Sequence, residues 1–211
     1  NLAERISLIR NHGEAVVDGM GVENISNLIG FNYRMTEIEA AIANEQLKKL
    51  DYFVDKRIQA CNKIIDKFKN IDGIICPKEQ NHTKNVFYYL CFKINKKKLG
   101  LSRKAFCAAI NAEGIPFGEG GYLPIYLQSM YQKKIAFGTK GYPFKSPFYQ
   151  KEVDYSPGLC PISEKMWFED LFYFKIQNFL PKLSDIDKFD FAINKILNNV
   201  DEIQTYFNEK D

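Results

Sequence analysis

Apolar residues recur at helical spacing through the first third of the chain, with one gap. Leu2, Ile6 and Ile9 share a face, so residues 2–10 read as the end of a helix, and His12-Gly13 supplies its stop signal. From Glu14 to Met35 no period survives. Gly19, Gly21, Asn24, Asn27 and Gly30 punctuate a long loop there, and such loops in compact domains are functional or unstructured. After Thr36 the period returns at Ile38, Ala41, Ile42, Leu47, Leu50, Val54, Ile58, Cys61, Ile64, Ile65 and Phe68. This predicts a long helix with a bend or junction over residues 51–57 and an end before Asp72-Gly73.

The pattern then changes to that of strands. Ile74-Ile75-Cys76-Pro77 predicts a short strand, and Val86 to Ile94 (VFYYLCFKI), aromatic and β-branched, a central one. Ser102 caps a predicted helix running to Glu113, with Phe106, Ala109 and Ile110 on its apolar face, and Gly114-Ile115-Pro116-Phe117 opens another edge. The β-β-α-β order is that of a small α/β domain. Near the C-terminus Ser184 and Asp187 predict a capped helix whose stripe is Phe189, Ile193, Ile196, Leu197 and Val200. Residues 118–160, rich in Tyr, Phe, Gly, Pro and Lys, have no period. Two readings stay open for them: an insertion folded over the small domain, or an aromatic wall facing a substrate.

Composition narrows the function class. The 211 residues suffice for one large domain or two small ones, and 45% hydrophobic with 26% charged residues marks a globular chain. No apolar run is long enough to span a bilayer and none reads as a signal peptide, so no membrane association is expected. A net charge of +3 is too small to imply nucleic-acid binding, and the basic segment Ile94 to Gly100 reads as a solvated turn. The five cysteines fit no zinc spacing; Cys61, Cys91 and Cys107 lie in apolar patterns as small core residues. A reducing cytoplasm is the expected compartment. The two histidines, His12 and His82, are too scattered to build a metal site.

The densest chemistry lies in Gly30-Phe31-Asn32-Tyr33-Arg34-Met35-Thr36-Glu37-Ile38-Glu39-Ala40. Its first half is a loop carrying an amide and a guanidinium. Its second half starts a helix, with Thr36 as N-cap and Glu39 three residues on completing a capping box. A loop locked to a helix start suits anionic groups. Asn32 can donate N–H bonds at a fixed position without adding a mobile charge; alternatively it only turns the chain. Arg34 suits a carboxylate or phosphate, or pairs with Glu37. Tyr33 and Met35 read as packing residues. His12 could transfer protons beside a pocket, or simply favour a helix dipole.

This stretch resembles the signature of the DegT/StrS family of pyridoxal-phosphate (PLP) sugar aminotransferases. Leu8-Ile9-Arg10-Asn11-His12-Gly13 is similar to that family's LLRNHG, and Glu45-Gln46-Leu47-Lys48-Lys49-Leu50-Asp51 to its EQLKKLD. Tyr122-Leu123-Pro124-Ile125-Tyr126-Leu127-Gln128 resembles YxPLHxQ, with Tyr126 where the family has a histidine lining the substrate pocket. Cys160-Pro161-Ile162-Ser163-Glu164 resembles CPVAE, and the family's LSLP is altered to Tyr173-Phe174-Lys175-Ile176; packing and helix capping are the plain readings of this tail.

The resemblance implies the C-terminal part of a fold-type-I aminotransferase. Residues 1–51 would be the end of the PLP-binding large domain and the start of a long connecting helix. Residues 52–211 would be the small α/β domain with its C-terminal helix. It implies PLP held by a Schiff-base lysine upstream of Asn1, so that this chain alone carries no catalytic residue and is inactive. Asn32 would contact the PLP phosphate of the neighbouring subunit in a homodimer. Arg34, Tyr122, Tyr126 and His12 would face substrate. The reaction implied moves an amino group from an amino acid, usually glutamate, to a keto-sugar, most often nucleotide-linked, for surface polysaccharide or related products. Two alternatives stand beside it: a PMP-dependent sugar dehydratase of the same family, and a non-catalytic stand-alone dimerisation or binding domain.

Overall fold

The structure, a computed structural model, describes residues 2–13, 29–148, 151–176 and 180–208. Most of the predicted Glu14–Met35 loop, up to residue 28, lies outside the described residues. The chain divides into two compact units, Asn1–Phe53 and Val54–Asp211.

In the first unit, helix α1 (Leu2–Arg10) ends as its sequence predicts. The Gly13 N–H returns to Leu8 O at 2.8 Å, with His12 and Gly13 both in the left-handed region at φ 65° and 67°. Helix α2 (Glu37–Leu47) starts at Thr36 with both halves of the capping box in place. The expected continuous helix is broken earlier than 51–57. It stops at Leu47, and α3 (Leu50–Phe68) begins after Lys48-Lys49. The Lys49 N–H reaches only three residues back, to Gln46 O at 3.0 Å, which tightens the turn. The sequence hint is the five-residue step from Ile42 to Leu47, which breaks the three-four spacing.

The second unit is a mixed α/β domain around a four-stranded antiparallel sheet of order β1-β2-β4-β3. In chain order it contains β1 (Ile74–Ile75), β2 (Leu90–Ile94), α4 (Lys96–Leu99), α5 (Arg103–Ala112) and β3 (Phe117–Glu119). A 3-10 turn (Ile125–Leu127), α6 (Ser129–Lys133), α7 (Pro161–Lys165) and a π-helical turn (Met166–Asp170) follow. The chain closes with β4 (Leu171–Phe174), α8 (Leu183–Asp187), α9 (Phe189–Asn198) and α10 (Val200–Asn208).

Alternation along the strands selects one face for burial. Leu90, Phe92 and Ile94 of β2 and Phe172 and Phe174 of β4 point into the core, in register as Leu90 with Phe174 and Phe92 with Phe172. Phe92 stacks on Phe172 at 5.3 Å, and Phe117 of β3 meets Phe172 at 5.4 Å. Ile64 and Phe68 of α3, Phe106 and Ile110 of α5, and Ile193 and Ile196 of α9 complete this core. On the opposite sheet face the Tyr173 ring crosses Gly118, where a Cβ would come within 2.6 Å of it. Cys61 and Cys107 are buried, and burial pushes both thiols up to about 12.

Four expectations need correction. The central strand begins at Leu90 rather than Val86, because Asn85 accepts the Phe87 N–H at 3.0 Å and Phe87 turns to φ 50°. The Ile94–Gly100 turn contains one helical turn, α4, capped by the Asn95 side chain. Ser184 lies inside α8 rather than capping it, and Asp187 instead pairs with Lys63 at 2.8 Å. The predicted C-terminal stripe is shared between α9 and α10, divided at Asn199.

Phe172→Ala should destabilise the second unit by about 3–5 kcal/mol, while Phe191→Ala on the exposed side of α9 should stay within about 0.5 kcal/mol. Denaturant unfolding of the two variants checks this. Native thiol labelling should modify exposed Cys160 quickly and reach Cys61 and Cys107 only on unfolding.

Candidate functional site

The residues expected to carry chemistry fall in both units. His12, Asn32 and Arg34 are in the first; Tyr122 and Tyr126 are in the second.

In the first unit the structure brings the two sequence motifs together. The last carbonyls of a helix lack intrahelical partners, and here an extended segment takes them. Phe31 N–H donates to Ile9 O at 2.7 Å, Tyr33 N–H to Arg10 O at 3.1 Å, and His12 N–H to Phe31 O at 2.9 Å. Asn11 and Asn32 form a β-bridge at the centre of this clasp. The approach is so close that a Cβ at Gly30 would fall 1.9 Å from the His12 carbonyl carbon. Glycine is therefore required at position 30 by backbone contact.

The clasp places three polar side chains together. Arg34 Nη1 donates to Asn11 Oδ1 at 3.4 Å, and Asn11 Nδ2 donates to Ser7 O at 3.0 Å. Asn32 Oδ1 accepts the Arg34 N–H at 3.4 Å. Arg34 is thus held by Asn11, which sequence reasoning did not single out although it sits inside the RNHG motif. The His12 ring is exposed, and its backbone serves the clasp. Tyr33 stacks on Phe31 with centroids 5.0 Å apart.

The start of α2 carries its own carboxylate, which takes both donors of Thr36. Glu39 Oε2 accepts from Thr36 N–H at 2.8 Å and from Thr36 Oγ1 at 3.0 Å. The backbone hydrogen bond from Thr36 is the larger cause holding Glu39 below the ordinary 4.5, with the hydroxyl second. Within the loop itself, the side chains able to give hydrogen bonds are the Asn32 amide and the Arg34 guanidinium.

In the second unit Tyr122 is 83% exposed. Tyr126 is half-buried: its hydroxyl donates to Glu164 and accepts the Cys160 N–H at 3.2 Å. Residues 131, 144 and 155 form an aromatic triad, with Tyr131–Tyr155 centroids at 5.4 Å, which packs the irregular segment against itself. Among the described residues no group of His, Cys, Asp or Glu could hold a metal ion. No helix among them is long and apolar enough to cross a membrane.

The profile of the DegT/DnrJ/EryC1/StrS aminotransferase family matches residues 1–154, and the chain belongs to that family. It is 25% identical over 177 residues to the uncharacterized protein MJ1066 of Methanocaldococcus jannaschii, covering 81% of this chain and 44% of that protein. It is 27% identical over 158 residues to the UDP-4-amino-4,6-dideoxy-N-acetyl-beta-L-altrosamine transaminase of Helicobacter pylori, covering 72% of this chain and 39% of that enzyme. Its fold matches the crystal structure of DesV from S. venezuelae with a TM-score of 0.64 at 18% identity, over 93% of this chain and 44% of that one. The chain thus spans less than half the length of the relatives it matches.

The capping box gives a pH test. A carboxyl held below its ordinary value contributes stability that is full above about 4.5 and lost as pH falls through the folded value. Thr36→Val should therefore destabilise α2 more at pH 7 than at pH 3, where the lost acceptor for the Glu39 N–H still costs but the lost donor to the carboxylate no longer does. A carbon-13 NMR titration should find Glu39 below 4.5 in the parent chain and shifted only part of the way toward 4.5 in the variant, which keeps the backbone N–H donor at position 36.

Proposed function

We propose that this chain is the C-terminal part of a PLP-dependent aminotransferase. The enzyme moves an amino group from an amino acid, glutamate on the family resemblance, to a keto-sugar. That sugar is nucleotide-linked and destined for surface polysaccharide or a related product. Family membership supports the reading, as does the sugar transaminase among the relatives. The observation that carries it is the clasp, which holds an amide and a guanidinium together on a fixed loop.

The donor set fits a phosphate. With Asn32 Oδ1 taken by the Arg34 N–H, the Asn32 Nδ2 hydrogens are the part of that side chain left to give. Arg34 adds a planar cation that suits a phosphate or the carboxylate of an amino-acid donor. In this reading Asn32 clamps the cofactor phosphate of a neighbouring subunit in a cytoplasmic homodimer, and Arg34 and His12 face the same pocket. PLP, when bound, supplies the electron sink that amine transfer needs. In this reading the lysine that carries it lies in sequence outside this chain, as the family resemblance implies, and coverage of under half of the relatives' length is in keeping with that. Residues 1–51 then complete the large domain. Ile38 and Ile42 of α2, 74% and 58% exposed, are the side chains that domain would cover. Residues 52–211 form the small domain, whose segment 118–160 walls the acceptor side with Tyr122 exposed toward the substrate.

In the full-length enzyme Asn32→Ala should weaken PLP retention by about 1–3 kcal/mol, the loss of one charge-assisted hydrogen bond, and leave the fold intact. Unchanged PLP affinity with normal turnover rules out the phosphate role. Borohydride reduction of the 211-residue chain with PLP should leave no adduct on one defined lysine. A single modified lysine found by mass spectrometry would remove the argument that the cofactor lysine lies elsewhere.

A further inference from the structure

Helix α7 begins without a side-chain cap of its own. Its N-cap residue is Cys160, and Pro161 in the first turn has no N–H to give. The cap comes from a residue 34 positions earlier: the Cys160 N–H donates to the Tyr126 hydroxyl oxygen at 3.2 Å. That hydroxyl donates in turn to Glu164 Oε1. The same carboxylate oxygen accepts the Gly158 N–H at 2.6 Å. On the other side of Tyr126, Gln132 Nε2 donates to the Tyr126 carbonyl at 2.7 Å and to the Tyr155 carbonyl at 2.6 Å.

A phenol has one proton. Here it goes to a carboxylate, while an amide fills the oxygen from the other side. Burial first, and the hydrogen bond to Glu164 second, push the Tyr126 phenol up, so the proton stays in place at neutral pH. No proton is left over for a ligand. Tyr122, four residues earlier, has its ring in solvent instead.

We propose that Tyr126 and Glu164 are positioning residues: they latch the segment before Cys160 to the start of α7 and so fix the acceptor wall, without touching the substrate themselves. The functional half of this rests on the aminotransferase reading; the latch rests on the hydrogen bonds alone.

Three variants test it, in two separate arms. The first arm is residue-resolved hydrogen exchange on the 211-residue chain. Tyr126→Phe should speed exchange at Cys160 on the order of threefold to tenfold and leave Gly158 unchanged, since Gly158 keeps its acceptor. Glu164→Ala should speed both, and Glu164→Gln, whose amide oxygen still accepts, should restore Gly158. The second arm is turnover of the full-length enzyme. Glu164→Ala should raise KM for the keto acceptor, leave KM for the amino donor unchanged, and be rescued in part by Glu164→Gln. If Tyr126→Phe lowers turnover while Cys160 exchange stays at the parent rate, Tyr126 acts on the substrate directly and the latch is overturned. An enzyme that transfers no amine under any condition removes the aminotransferase reading, while the exchange arm still decides the latch.

Discussion

The end of helix α1 leaves backbone carbonyls that must find donors, and much of the first unit follows from how they do so. Ile9 O and Arg10 O are met by the Phe31 and Tyr33 amides rather than by water. This requires a strand segment to lie against a helix terminus, which only glycine at position 30 permits. It also requires the chain to leave the helix through a left-handed His12-Gly13 pair. Asn32 and Arg34 are then fixed relative to Asn11 by backbone bonds and not by their own side-chain packing. Side chains mounted in this way would lose little conformational entropy on meeting a ligand. The motif residues thus divide by role: Gly30, His12 and Gly13 make the clasp, and Asn32, Arg34 and Asn11 are what the clasp presents.

The second unit solves a different problem. Its strands are short, two to five residues, and two of its neighbouring pairs are distant in sequence. Local propensity cannot hold such strands together, and the rings on one face do so instead. Phe92, Phe117, Phe172 and Phe174 come from three strands, and Phe68 and Phe106 from two helices. Each ring buries a large apolar area, and their edge and stacked contacts help fix how the strands align. Around this core the Lys63–Asp187 and Lys67–Asp190 pairs tie α3 to α8 and α9. They are partly exposed and so contribute alignment more than stability.

What the sequence made legible follows from how local each signal is. The capping box at Thr36 and Glu39, the stop at His12-Gly13 and the cap at Ser102 depend on residues within a few positions, and a short window contains them. The helix α5 and its apolar face were readable for the same reason. Strand β4 was not: LFYF has no alternation, and its partners β2 and β3 lie some fifty to eighty residues away. Its two outward positions, Leu171 and Tyr173, are as apolar as the inward ones, so no pattern separates the faces. The mutual docking of RNHG and GFNYRM was also hidden, since nothing in either motif says that one forms hydrogen bonds with the other. Resemblance placed both motifs in one family without giving the contact between them.

Position 126 separates chemical type from role. A motif match places a tyrosine where relatives have a histidine, and the resemblance alone would carry the substrate contact across to it. The two side chains differ in ways that matter here. An imidazole can keep a donor and an acceptor on separate nitrogens and titrates near neutrality. A phenol is longer, carries both functions on one oxygen, and stays protonated. With the Cys160 N–H on one side and the Glu164 carboxylate on the other, both functions of that oxygen are spent within the protein. Substituting histidine for this tyrosine would shorten the reach to α7 while adding a second polar atom, so the helix cap and a ligand contact would compete for different nitrogens. The hydrogen-bond inventory, rather than the motif, therefore decides what residue 126 does in this chain.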